Sequence, residues 1–228
     1  MEKEDNLLII LDLGANDGCS ILKFKKIIKD KQINNYKIYS FEPNPFFKKR
    51  LEDMTKSDEN VIFSNKLVGT QNTKTQLFLS HEGNEGSSIY SDKQTNNVRS
   101  DKYVICETID IAEFIIQLPS HNKLWLKMDI EGSEYNIIPH LHKKNCLKKI
   151  DKLLVEWHYH KIPSITKKMH DNTVRLVKNI DSENWDALDY RNKDIKYRQE
   201  YQSFLKKIKQ SPTKQLPKSK PILNFSII

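Results

Sequence analysis

Apolar runs and amphipathic stretches alternate along the chain almost from its first residue. Leu7 to Leu13 is nearly continuous in apolar residues, as a strand covered on both faces requires. Ser20 to Lys31 follows with Ile21, Leu22, Phe24, Ile27 and Ile28 available for the inner face of a helix. Lys37 to Phe41 reads as a second strand, Pro45 to Met54 as a helix with proline suited to its first turn, and Asn60 to Val68 as a third strand. Two short extended pieces, Gln76 to Leu79 and Tyr103 to Cys106, flank a polar loop holding Gly83, Gly86, Ser87 and Ser88. Beyond it come a helix at Ile111 to Leu118, an apolar strand at Leu124 to Ile130, a helix at Glu134 to Leu147, a strand at Leu153 to Trp157 and a helix at Thr166 to Ile180. Strand and helix in alternation predict βαβ units, hence a doubly wound, mostly parallel α/β sheet with helices on both faces, in one domain.

Composition narrows this picture. The 228 residues are 37% hydrophobic and 30% charged, the balance of a soluble globular chain, and no apolar run approaches the roughly 20 residues of a membrane helix. The acidic start Met-Glu-Lys-Glu-Asp runs straight into the first strand, so no signal peptide is expected. Cys19, Cys106 and Cys146 are odd in number and lack CxxC spacing, which argues against a disulfide framework or a zinc site and for a reducing, cytoplasmic setting. The net charge of +8 would attract polyanions, but the lysines are spread along the whole chain rather than gathered in one patch. A nucleic-acid partner is therefore the secondary expectation.

Glycine is scarce, with six in the chain, and most stand where predicted strands end. That is where an open α/β sheet binds ligands and where backbone must approach them closely. Strand one runs into Asp12-Leu13-Gly14-Ala15-Asn16-Asp17-Gly18, which reads as a cofactor loop. Its spacing is GxxxG rather than GxGxxG, no GxxxxGK[ST] occurs, and the acidic Asp12 and Asp17 suit a ligand with a cationic amine and sulfonium better than a pyrophosphate. In Phe41-Glu42-Pro43-Asn44-Pro45, Glu42 ends strand two, where a carboxylate can accept both ribose hydroxyls of an adenosine cofactor. In Lys127-Met128-Asp129-Ile130-Glu131-Gly132-Ser133-Glu134, strand alternation would put Lys127, Asp129 and Glu131 on one face, a costly burial unless it serves a site. Asp129 could take a proton from an attacking hydroxyl or fix the acceptor, while Gly132 permits the turn into the next helix.

Together with Thr108-Ile109-Asp110 and Val155-Glu156-Trp157-His158, these segments resemble the successive motifs of the FkbM family of methyltransferases, over about residues 7–160. The resemblance implies a class I methyltransferase (Rossmann-like) fold, S-adenosyl-L-methionine as donor, and O-methylation of sugar or polyketide-type hydroxyls. Residues 1–162 are then expected to form the donor-binding core, and 163–228, which the resemblance does not reach, an extension that completes the sheet or the acceptor site and ends in a basic tail. It points to Asp12, Gly14, Ala15, Asn16, Asp17, Gly18, Glu42, Pro43, Asn44, Val68, Ser88 and Asp129 as cofactor-binding, and to Asp129, Lys127, Glu156 and His158 as catalytic. If a divalent metal is bound, Asp129, Glu156 and His158 are the expected ligands, with His158 and His160 on one face at strand spacing. Two further readings stay open: an RNA 2′-O-methyltransferase, suggested by the basic charge and the Lys127/Asp129 pair, and a non-catalytic basic binding module on the same fold. The oligomeric state is not legible.

Overall fold

The apolar run after the first residues forms β1 (Leu8–Leu13), all six of whose residues are buried in the computed structural model. Residues 6–80, 85–95 and 98–185 are described, with the single positions 199 and 203. Gly83 and the basic tail lie outside the described residues. The chain divides into two compact units, Met1–Tyr190 and Arg191–Ile228, and positions 199 and 203 are the described part of the second.

After β1 come α1 (Cys19–Asp30), β2 (Tyr36–Phe41), α2 (Pro45–Thr55), β3 (Val61–Ser64), β4 (Leu67–Gly69), β5 (Thr73–Ser80) and β6 (Val98–Asp110). They are followed by α3 (Ile111–Ile116), β7 (Lys123–Met128), α4 (Glu134–Lys143), β8 (Lys152–Val155), α5 (Lys167–Val177) and β9 (Asp181–Asn184). Six strands form a sheet in the order β3-β2-β1-β7-β8-β9, and every pairing in it is parallel. Ile9, Leu11 and Leu13 of β1 share one core cluster with residues of α3 and α4, whereas the intervening Asp12 meets Ser20 of α1. Helices therefore cover both faces, as alternation along a doubly buried strand requires. The strand order reverses between β1 and β7, so a crevice opens at their carboxyl ends.

Several expected elements end elsewhere. The third strand is divided: β3 pairs with β2, and after Asn65 and Lys66 the chain leaves as β4 to join β6 and β5 in a second sheet. At the break the Asn65 side chain donates to Glu42 O at 2.7 Å. β5 and β6 are longer than their apolar centres because their outer residues are exposed and polar. β7 stops at Met128 rather than Ile130, since Glu131 (φ 53°) and Gly132 (φ 111°) take left-handed backbone. α4 stops at Lys143, and Asn145 (φ 57°) turns the chain before a short 3-10 turn at Leu147–Lys149. Within 163–228, Thr166 caps α5 through a bond from Met169 N, and β9 adds a parallel edge strand to β8. Among the described residues the three cysteines are free and buried, and no helix is long and apolar enough to cross a membrane.

Candidate active site

The glycine loop after β1 is stitched to the end of β2. The N–H groups of Gly14 and Ala15 both donate to Phe41 O at 2.9 Å, with Gly14 at φ +84°. A Cβ on Gly14 would lie 1.9 Å from Asp129 O, so the β1 loop and the end of β7 touch backbone to backbone. Glu42, next after β2, accepts from Asn16 N through Oε2 and from Asn44 N through Oε1, both at 2.8 Å. Burial pushes its carboxyl up to about 7; the two N–H donors and Lys127 pull the other way, and Asp12 adds to the rise.

A cleft of about 630 Å³, counting its solvent-open mouth, runs over this point. Of the expected cofactor residues, Gly14, Asn16, Glu42, Pro43, Asn44, Val68 and Asp129 line it. Ser88 does not: its hydroxyl donates to Glu131 O at 2.6 Å behind the wall. Asp12, Ala15, Asp17 and Gly18 also lie outside the lining, and this corrects the expectation that two loop carboxylates face a cationic ligand. Asp12 is fully buried, accepts from Ser20 Oγ and Ser40 Oγ at 2.7 and 2.8 Å, and lies 3.2 Å from Lys127 Nζ. Its position has a simple origin, since Asp12 and Lys127 are register partners on adjacent strands. Asp17 is buried too and accepts from Cys19 N at 3.1 Å, tightening the first turn of α1.

Lys127 reaches from β7 to Gly14 O at 2.5 Å and stands 4.0 Å from Asp129 Oδ2. Burial alone would push its ammonium down, but Asp12 and Asp129 hold it charged. Asp129 is raised above the ordinary carboxylate range by burial first, against the pull of Lys127, with Glu156 and Glu131 adding to the rise. Behind it His158 is fully buried, its Nδ1 at 3.0 Å from Glu134 Oε1 and its Nε2 within 3.3 to 3.7 Å of Glu156, Glu131 and Asp129. Burial lowers this imidazole, and the surrounding carboxylates outweigh burial and lift it to about 10. Glu156 is held below the usual range by His158 and Lys161 despite its burial. Lys127, Asp129, Glu156 and His158 are thus brought together, although Asp129 is the one of the four that lines the cleft.

Two sequence expectations fail here. His160 is exposed, not on one face with buried His158, because β8 ends at Val155 and a 3-10 turn at Tyr159–Lys161 breaks the strand period. Glu131 joins the cluster through its left-handed turn, not through strand alternation. Two residues were missed. Glu134 fixes the turn by accepting from Ile130 N and Gly132 N while holding His158. Lys93, with its side chain closed off from solvent, stands 2.5 Å from Glu131 and donates to Gly86 O at 2.6 Å. Glu134 had a signal in its place just after Gly132, whereas Lys93 had none. Asp110 of Thr108-Ile109-Asp110 caps α3 through Ala112 N and Glu113 N and meets His140 Nε2 at 2.8 Å, a structural role.

The family model for the methyltransferase FkbM domain matches residues 12–187. No curated protein matches the chain. Among solved structures, the chain is similar to the methyltransferase FkbM of Methylobacillus flagellatus KT, at 14% identity and a TM-score of 0.47, over 77% of this chain and 39% of that one. The chain thus spans less than half the length of that protein.

Proposed function

The chain belongs to the FkbM family of methyltransferases, and on that premise we propose that it transfers a methyl group from S-adenosylmethionine to a hydroxyl oxygen of a sugar or glycan. The observation that carries this reading is the pairing of Glu42 and Asp129 in one cleft, across the point where the strand order reverses. Each Glu42 oxygen already accepts one N–H and retains a lone pair, so the carboxylate can receive the ribose hydroxyls of the donor. Val68 and the apolar Leu67, Leu77 and Ile89 offer the donor's base a dry wall.

In the reaction the acceptor oxygen attacks the methyl carbon in line. The S–CH₃ bond breaks with its electron pair returning to sulfur, and the hydroxyl proton passes to Asp129. Most of the rate should come from alignment, because the sulfonium already activates the methyl group. A carboxylate raised towards neutral pH is nevertheless well suited to take a proton from a hydroxyl that attacks poorly while protonated. Lys127 holds the Gly14 carbonyl and Asp129 together, and so positions both sides of the cleft. The support for a sugar acceptor is the family resemblance.

The test is calorimetric titration with the donor, then a transfer screen over sugars, glycans and lipids. Asp129→Asn keeps the shape and removes the charge, so turnover should fall by at least about 10²-fold while donor affinity stays nearly unchanged. Wild-type protein that binds no donor would sink the reading. Near-wild-type turnover in Asp129→Asn would move the chemistry elsewhere.

A further inference from the structure

We propose that His158 Nε2, Asp129 Oδ1 and Glu156 Oε1 form a binding site for one divalent transition-metal ion, of Mn²⁺ or Zn²⁺ type, in the wall of the cleft. One ligand atom from each of the three residues lies within 4.8 Å of the other two. The observation that points to an ion is His158 Nε2. This nitrogen is fully buried and stands 3.3 Å from Glu156, 3.4 Å from Glu131 and 3.7 Å from Asp129, yet it makes a directed hydrogen bond with none of them. Separations of this size suit donor atoms on the edges of a tetrahedral site, whose bonds of about 2.0–2.2 Å imply edges of roughly 3.4 Å.

The imidazole is also mounted as a ligand would be. Glu134 accepts at Nδ1, at 3.0 Å, so Nδ1 carries the hydrogen and the ring is oriented with Nε2 towards the carboxylates. Glu134 is itself held by Ile130 N and Gly132 N, which makes the support rigid. A carboxylate on the far nitrogen is the usual second partner of a metal-bound histidine, fixing its tautomer and raising its basicity.

Charge balance points the same way. Contacts within 4.0 Å join Asp12, Asp129, Glu131, Glu134 and Glu156 to Lys93, Lys127, Lys161 and His158. Five carboxylates against three ammonium groups and the charged imidazole leave one negative charge, and a divalent ion that displaces the imidazole's second proton brings the cluster to neutrality. Lys161 holds the same Glu156 oxygen at 3.0 Å and would swing aside on its stem when the ion enters. One imidazole with carboxylates suits a first-row ion of mixed nitrogen and oxygen preference better than Ca²⁺ or Mg²⁺. Asp129 and Glu131 both face the cleft, so an acceptor hydroxyl could join the ion as a further ligand and pass its proton more readily to Asp129 Oδ2, the oxygen that the ion leaves free.

Ion binding is tested with neither donor nor acceptor present, so its failure leaves the methyl-transfer reading untouched, and the failure of that reading leaves the site untouched. Chelator-treated full-length protein is titrated with Mn²⁺ alone while electron paramagnetic resonance follows the free ion, and Zn²⁺ is then added as competitor. The expected result is one Mn²⁺ per chain, displaced by Zn²⁺, with affinity reduced at least about tenfold in Glu156→Gln and more in His158→Gln. Glu156 is partly exposed, so its variant should fold even if the buried His158→Gln does not. No uptake by the wild type at millimolar Mn²⁺, or unchanged affinity in Glu156→Gln, overturns the proposal and leaves His158 as a buried imidazolium that closes the cluster.

Discussion

At the scale of single residues, Glu42 couples the candidate site to pH. Its carboxyl rises from 4.5 to about 7 on folding, so its contribution to stability is whole below about pH 4.5 and is lost as pH rises through about 7. A donor whose ribose hydroxyls need the ionised form must expel a proton below about pH 7. Donor affinity should therefore climb by up to about tenfold per pH unit towards pH 7 and level off above it. Calorimetry at pH 6 and pH 8, in buffers of different ionisation enthalpy, counts that proton; affinity independent of pH would separate Glu42 from the donor. Glu42→Ala should weaken donor binding by roughly 1–3 kcal/mol at pH 8, since it removes a buried charged acceptor. The residues that sequence reading located, Glu42, Lys127 and Asp129, are charges at the ends of apolar strands, where a charge stands out. The role of Asp12 was not legible. Whether it faces a ligand or serves as counter-ion depends on the register that sets it beside Lys127, and register is a property of two strands. Lys93 escaped for a similar reason, because its partner Glu131 lies 38 residues further along the chain.

At the scale of elements, the site depends on how closely the β1 loop and the end of β7 approach. Gly14 combines left-handed backbone with a Cβ position that falls on Asp129 O, and that neighbour is backbone, which cannot swing away. Gly14→Ala should therefore cost at least about 2 kcal/mol, from the left-handed penalty of about 1–2 kcal/mol plus the clash. It should also weaken donor binding, since the loop must lift from β7. Urea denaturation checks the first effect and calorimetry the second; a variant as stable as wild type would show that the contact is slack. The elements legible in sequence, β1, α1, β2 and α2, owe their clarity to strong apolar periods. β9 carried no such signal, because Asp-Ser-Glu-Asn is exposed at all four positions and is held by pairing with β8 and by the Lys152 ammonium beside Asp181 and Glu183. The division of β3 from β4 was hidden for the opposite reason: both halves are apolar enough to read as one strand, and the break depends on Asn65 turning its side chain to Glu42 O.

At the scale of the whole molecule, the net charge of +8 bears on which acceptor reaches the cleft. Many lysines are matched locally along helices, as in Lys26–Asp30, Lys48–Glu52, Lys49–Asp53 and Lys167–Asp171, a pattern of solvated helix faces. The lysines nearest the candidate chemistry, Lys93, Lys127 and Lys161, are engaged with carboxylates. A phosphate backbone laid across this cleft would meet Glu42, Glu85, Asp129 and Glu131 in its lining against Lys66, which itself pairs with Glu107 at 3.3 Å. The excess positive charge should then give weak, sequence-independent RNA binding, no tighter than about 10⁻⁶ M near physiological salt. Its logarithm should fall linearly with the logarithm of salt concentration, because such binding is driven by counter-ion release. Fluorescence anisotropy with single-stranded, duplex and capped RNA at 50 and 200 mM salt tests this. A complex that prefers one RNA structure and survives the higher salt would contradict it, and would move the acceptor from a sugar or glycan to the ribose 2′-hydroxyl of RNA.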